Sequence, residues 1–204
     1  MNKTILVSLL FLTLIFARRD CLQSAERDAL GRTMRPEKDT LAISPSGHFY
    51  IHFDTTGSAA PDLTDSDANG IPDYVDEVGI IADSARHVLV NIMEWGEEPF
   101  DGEGGYDIYI MSYSSGVYGY STPDAPSLNP NGQTSYLKID NDYLGFNSIF
   151  NLSSSKIMQI SVAHEYFHAL QWGYRKNTSG SKYFFEMTSM WFEDILIPDG
   201  NDYL

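Results

Sequence analysis

His164-Glu165-Tyr166-Phe167-His168 lies inside a run, Ser153 to Trp172, that contains neither Gly nor Pro and opens on three serines suited to a helix N-cap. The run predicts one helix of roughly five turns. Ile160, Ala163, Phe167 and Leu170 recur on it at three- and four-residue steps and form an apolar stripe. Four residues apart, His164 and His168 share a helix face and can close on one metal ion. Zinc suits two neutral imidazoles, and a catalytic zinc site takes three protein ligands plus a water whose pKa falls to about 7. Glu165 is then placed to accept that water's proton. The plain alternative makes both histidines hydrogen-bonded polar residues of a half-buried helix.

A third ligand separates these readings. Tyr183 to Asp194 is aromatic-rich, free of Gly and Pro, and spaced for a second helix. Seventeen residues, 169 to 185, separate His168 from Glu186. That length lets the first helix end near Gly173, turn through Asn177-Thr178-Ser179-Gly180 and hand over to an antiparallel partner. Glu186 can thereby meet the two histidines. Glu193 follows seven residues on, two turns along nearly the same face. A carboxylate there can hold the free N–H of a ligand histidine and fix its tautomer. Its alternative is an ordinary exposed helix carboxylate, and Asp194 looks less inward.

His164, Glu165, His168 and Glu186, with the aromatic-Glu-x-x-Ser/Thr-x-Trp-x-Glu arrangement around Glu186, resemble the motif set of the gluzincin metallopeptidases, peptidase clan MA-like. The resemblance implies an α+β, zincin-like fold: a mixed sheet, then the active-site helix, then the third-ligand helix. It also implies that His164, His168 and Glu186 bind Zn2+ and that Glu165 is the general base. The activity so implied is that of a zinc metalloendopeptidase, which hydrolyses a protein or peptide substrate by Glu-assisted attack of zinc-bound water. Gluzincins commonly add a Tyr or His that stabilises the oxyanion, and no residue here matches it. They usually continue with a mostly helical subdomain, so a truncated C-terminal subdomain is expected.

A second motif is acidic. In Asp65-Ser66-Asp67-Ala68-Asn69-Gly70-Ile71-Pro72-Asp73-Tyr74-Val75-Asp76, oxygen side chains fall at loop positions 1, 3, 5, 9 and 12, with Gly at 6. Asp65, Asp67, Asn69, Asp73 and Asp76, with the carbonyl of Ile71, would ligate a structural Ca2+. Asp76 stands where Glu is usual, and Pro72 follows the carbonyl ligand. The string resembles dockerin-like and thrombospondin type 3-like calcium loops; a solvated acidic turn is the alternative. Pro72 to Trp95 then has helical periodicity, so calcium would fix where that helix starts.

Lys3, the apolar stretch Ile5 to Phe16 and the small Ala17 read as a signal peptide over 1–17, followed by a linker or short propeptide over 18–40 and one domain over 41–204. Secretion or cell-surface display follows, extracellular or periplasmic, with no stable membrane insertion after signal cleavage. The single cysteine, Cys21, excludes an internal disulfide, so stability falls to the core and bound ions. A hydrophobic fraction of 43% fits a folded domain. The formal net charge of -15 argues against nucleic acid as a partner. Potential sequons stand at Asn151 and Asn177.

Strands are predicted at Phe49 to Phe53, Tyr106 to Met111, Val117 to Tyr120 and Tyr136 to Ile139. Tyr118 and Tyr120 either line a cleft or simply pack, and His48, His52 and His87 read as structural or surface residues. The competing functional class is a calcium-stabilised, secreted binding module with a structural or degenerate zinc site. An intact Glu165 argues against it, because a closed structural site has no use for a base.

Overall fold

Period-two alternation at Phe49-Tyr50-Ile51-His52-Phe53 does what the pattern demands: Phe49, Ile51 and Phe53 are buried while Tyr50 and His52 are half-buried. This segment is β2 (Phe49–Phe53) of a five-stranded sheet, with β1 (Thr40–Ile43), β3 (Tyr106–Met111), β4 (Gly119–Pro123) and β5 (Ser135–Asp140). The computed structural model describes residues 34–113, 117–144, 146, 152–174 and 182–200. The expected signal sequence at 1–17, Cys21, both sequon asparagines and the turn at 177–180 lie outside the described residues.

The strand order is β1-β2-β3-β5-β4. β2, β3 and β5 run parallel, in a register that sets Ile51 beside Ile108 and Ile108 beside Leu137. β1 and β4 close the two sides antiparallel. With the three α-helices among the described residues, α1 (Asp73–Arg86), α2 (Ser154–Tyr174) and α3 (Lys182–Leu196), the chain has an α+β fold built on a mixed sheet. α1 starts with Asp73 and Asp76 in its first turn, where carboxylates favour the helix dipole, and continues through His87–Ile92 as a wider π-type turn. α2 is capped by Ser153, whose Oγ accepts the Lys156 N–H at 3.2 Å.

Phe49, Ile51, Ile108, Ile110, Leu137 and Ile139 form one hydrophobic core with α1 and α2. α1 lies over β1 and β2, α2 lies over β4 and β5, and α2 also packs against both other helices. That central position explains a difference from the sequence reading. An apolar stripe was expected on α2, yet every residue from Ile160 to Trp172 is buried, because the sheet and two helices leave it no solvent side. Phe167 shows the effect: its ring meets Trp95 at 4.9 Å and Phe192 at 5.5 Å, and burying such a side chain contributes about 1.5–3 kcal/mol. Polar contacts add register between helices. Glu77 of α1 accepts hydrogen bonds from Ser155 Oγ at 2.6 Å and Gln159 Nε2 at 2.7 Å on α2.

Two strands differ from expectation. Val117 to Tyr120 predicts a strand that in fact runs from Gly119 to Pro123, and β1, at the start of the expected domain, was not predicted. Residues 34–39 are also held to the sheet. On the face away from the helices, the Arg35 guanidinium meets Asp124 at 2.8 and 3.2 Å, Asp101 at 2.8 Å, and Asp107, and lies over the Tyr136 ring.

Candidate metal centre

His164 and His168 project from the middle of α2 toward α3, and Glu186 of α3 faces them. His164 Nε2 and His168 Nε2 are 3.1 Å apart. Glu186 Oε2 is 3.2 Å from the first and 3.5 Å from the second. All three residues therefore offer a ligand atom to one point, as the spacing predicts.

The surrounding groups decide which ring nitrogens carry protons. Glu193, itself 1% exposed, sits against His164 Nδ1. A carboxylate accepts, so the proton resides on Nδ1 and the Nε2 lone pair faces His168. His168 Nδ1 is 2.7 Å from Gln171 Oε1, with Ser189 Oγ at 3.2 Å, which leaves its Nε2 with a lone pair as well. Two imidazole lone pairs and a carboxylate thus converge, and three acceptors cannot satisfy one another. A divalent cation uses all three at once. Glu186 Oε1 is in addition buried without a hydrogen-bond partner, a costly state that a cation relieves. Burial pushes the Glu186 carboxyl up; where protons take the place of the cation on the two Nε2 atoms, hydrogen bonds from His164 and His168 and their charge outweigh that and hold the group below the ordinary carboxylate range. The donor set of two imidazoles and one carboxylate fits zinc.

Glu165, fully buried, occupies the next position on α2 and lies against β4. A Cβ added to Gly119 of β4 would stand 3.1 Å from Glu165 Cγ and 2.8 Å from the Lys138 carbonyl oxygen. Glycine is what lets the sheet margin approach the proposed base this closely. The sequence reading took the tyrosines flanking Gly119 as the informative residues and missed the glycine between them. It missed Gln171 and Ser189 too, although Gln171 follows His168 by three residues and so shares its helix face. Asp194 is exposed. His48 and His52 sit outside the centre, His48 against Glu98 and His52 2.7 Å from Asp107. Tyr118 packs its ring on Phe146 at 4.3 Å.

The acidic loop assembles only part of its expected ligand set. Asp65, Asp67 and Asp73 present carboxylate oxygens within 4.8 Å of one another. Asp76 instead accepts a hydrogen bond from Asn69 Nδ2 at 2.6 Å, and the Asn69 Oδ1 accepts the Ile71 N–H at 2.8 Å. Gly70 has φ 92°, the left-handed conformation that position 6 of such a loop requires. Hydrogen bonds from Ser66 hold the Asp73 carboxyl below its usual pKa, so it is ionised at neutral pH.

No helix among the described residues is long and apolar enough to cross a membrane. Comparison with protein-family models, with curated proteins and with solved structures finds no match to this chain.

Proposed function

We propose that the chain is a secreted zinc metallopeptidase of gluzincin type, with a zincin-like arrangement of sheet, active-site helix and third-ligand helix. One observation carries the reading: His164 Nε2, His168 Nε2 and Glu186 Oε2 converge within 3.5 Å as three acceptors, beside a buried glutamate that is not needed to hold them. His164, His168 and Glu186 would hold the ion. Zinc, when bound, supplies Lewis acidity that acidifies water and polarises a carbonyl oxygen.

Glu165 does the proton work. Its carboxylate takes a proton from the attacking water and returns it to the departing amine nitrogen, so that water and one peptide bond give a carboxylate and an amine. Fixing of His164 by Glu193 and of His168 by Gln171 keeps both rings in the ligand tautomer. β4 ends the sheet beside Glu165, which makes it the natural edge for an extended peptide to join by main-chain hydrogen bonds. Residues 65–76 would bind a structural Ca2+ and fix the start of α1. Residues 1–17 would direct export.

The test is Glu165→Gln assayed for zinc content and for chelator-sensitive cleavage of casein. The variant is expected to retain zinc while cleavage falls by about 10²–10⁴-fold. Near-normal cleavage would remove the general base, and zinc binding without any cleavage in the unaltered protein would favour a binding module.

A further inference from the structure

Gln171 joins the two helices that carry the ligands. Its Oε1 is 2.7 Å from His168 Nδ1, while its Nε2 donates to Thr188 Oγ1 at 2.8 Å and to the Phe185 carbonyl at 3.2 Å. The two ends of the amide are not interchangeable here. A main-chain carbonyl can only accept, so the NH2 group must face Phe185 and the oxygen must face His168. An oxygen facing Nδ1 in turn requires the proton there, which leaves the Nε2 lone pair directed at His164 and Glu186. Phe185 immediately precedes Glu186, and Thr188 follows it by two residues. The acceptors that orient the amide therefore flank the third ligand. Gln171 is buried, so water does not readily replace these bonds.

We propose that Gln171 is a positioning residue that couples the tautomer of His168 to the docking of the Glu186-bearing helix, so that the second and third ligands are prepared together. The proposal rests on the reading of His164, His168 and Glu186 as a zinc site. Its chemistry predicts a specific asymmetry between substitutions. Gln171→Glu keeps an acceptor for the His168 N–H but sets a carboxylate oxygen against the Phe185 carbonyl and can keep Thr188 only if its hydroxyl turns from the Phe184 carbonyl, so it weakens the tie to α3 alone. Gln171→Leu removes both ties. Thr188→Val removes the hydroxyl acceptor from a half-buried position and gives a milder version of the first change.

The experiment has two arms on the full chain. In the first, zinc affinity is measured by chelator competition for the unaltered protein, Gln171→Glu, Thr188→Val, Glu186→Ala and the Gln171→Glu/Glu186→Ala pair. Gln171→Glu is expected to weaken zinc by about 10–100-fold, in line with other residues that orient metal ligands, and Thr188→Val to weaken it less. In the Glu186→Ala background the same Gln171→Glu change is expected to have less than a third of that effect, because the ligand it positions is gone. Full additivity, or unaltered affinity in both Gln171→Glu and Thr188→Val, overturns the coupling. In the second arm, long-range nitrogen NMR on metal-free protein reads the His168 tautomer. Nδ1–H is expected in the unaltered protein and in Gln171→Glu, and a mixture in Gln171→Leu; an unchanged tautomer in Gln171→Leu overturns the proposal without reference to zinc. Failure of the unaltered protein to bind zinc would instead strike the metal reading, which the second arm does not share.

Discussion

Gly119→Ala tests the closeness of the sheet edge to Glu165. The new Cβ would stand 2.8 Å from the Lys138 carbonyl oxygen and 3.1 Å from Glu165 Cγ, against an ordinary contact of 3.4 Å or more. Lys138 lies on β5, paired with Tyr120 next to Gly119 in the ladder, so its carbonyl cannot swing away as a side-chain tip would. β4 must therefore move outward by about half an ångström or more, or Glu165 must turn. Overpacking of this kind costs about 1–3 kcal/mol. For a domain this size that lowers the thermal midpoint by roughly 2–12 °C. Catalytic groups tolerate displacement poorly, and a misplacement of about 1 Å can cost about 10²-fold in rate. The proposed zinc ligands face α3, and the contact of α2 with Gly119 is made by Glu165 rather than by a ligand, so zinc affinity is expected to stay close to that of the unaltered protein. The assay combines thermal unfolding, zinc stoichiometry and casein cleavage on one preparation. Normal stability with normal cleavage would show that Gly119 does not hold the edge against the base, and lost zinc would show that the damage had spread beyond it.

Glu193→Ala deprives His164 Nδ1 of its carboxylate partner and is expected to weaken zinc by about 10–100-fold; affinity equal to that of the unaltered protein in chelator competition would assign Glu193 to packing alone. Calcium at about a hundred times its dissociation constant should stabilise the fold by about 2.7 kcal/mol, with the effect abolished in Asp65→Asn/Asp67→Asn. Identical melting curves with and without a calcium-selective chelator would leave residues 65–76 an acidic turn. Glu98 gives a pH signature. Burial raises its pKa, but the hydrogen bond and charge of His48, with the Tyr166 hydroxyl, lower it further, so the folded value lies below the unfolded one. Its contribution to stability is therefore complete above the unfolded value of about 4.3 and is lost as pH falls through the folded value. Glu98→Gln should flatten the acid limb of a urea-stability profile, and parallel profiles would contradict the assignment.

The convergence of His164, His168 and Glu186 was legible in part because helical periodicity is a local rule. Four residues separate His164 from His168 and seven separate Glu186 from Glu193, and 100° per residue converts both spacings into shared faces. The same rule places Gln171 beside His168, but a glutamine becomes meaningful only once the facing helix supplies the Phe185 carbonyl and Thr188 hydroxyl. Sheet order was not legible. Nothing in Gly119 to Pro123 states that the strand pairs antiparallel with β5 at the margin, because pairing partners are chosen by the core as a whole. β1 was missed for a related reason: Leu41 and Ile43 are 44% and 49% exposed, so Thr40–Ile43 lacks the buried alternation by which strands are recognised. The complete burial of α2 likewise depends on how three elements stack around it.

Arg35 bears on where the chain could be cut without loss of the fold. Its one positive charge answers carboxylates from three separate segments, at Asp101, Asp107 and Asp124, and Asp124 has only 1% of its side chain exposed. Cutting the backbone on the C-terminal side of residue 35 would strip the cation away and leave those three anions to repel one another in poor solvent, a loss of about 3–5 kcal/mol when a buried pair is broken. If the chain is exported and processed as proposed, cleavage is expected upstream of Arg35, with Edman sequencing of the product finding a first residue numbered 35 or lower.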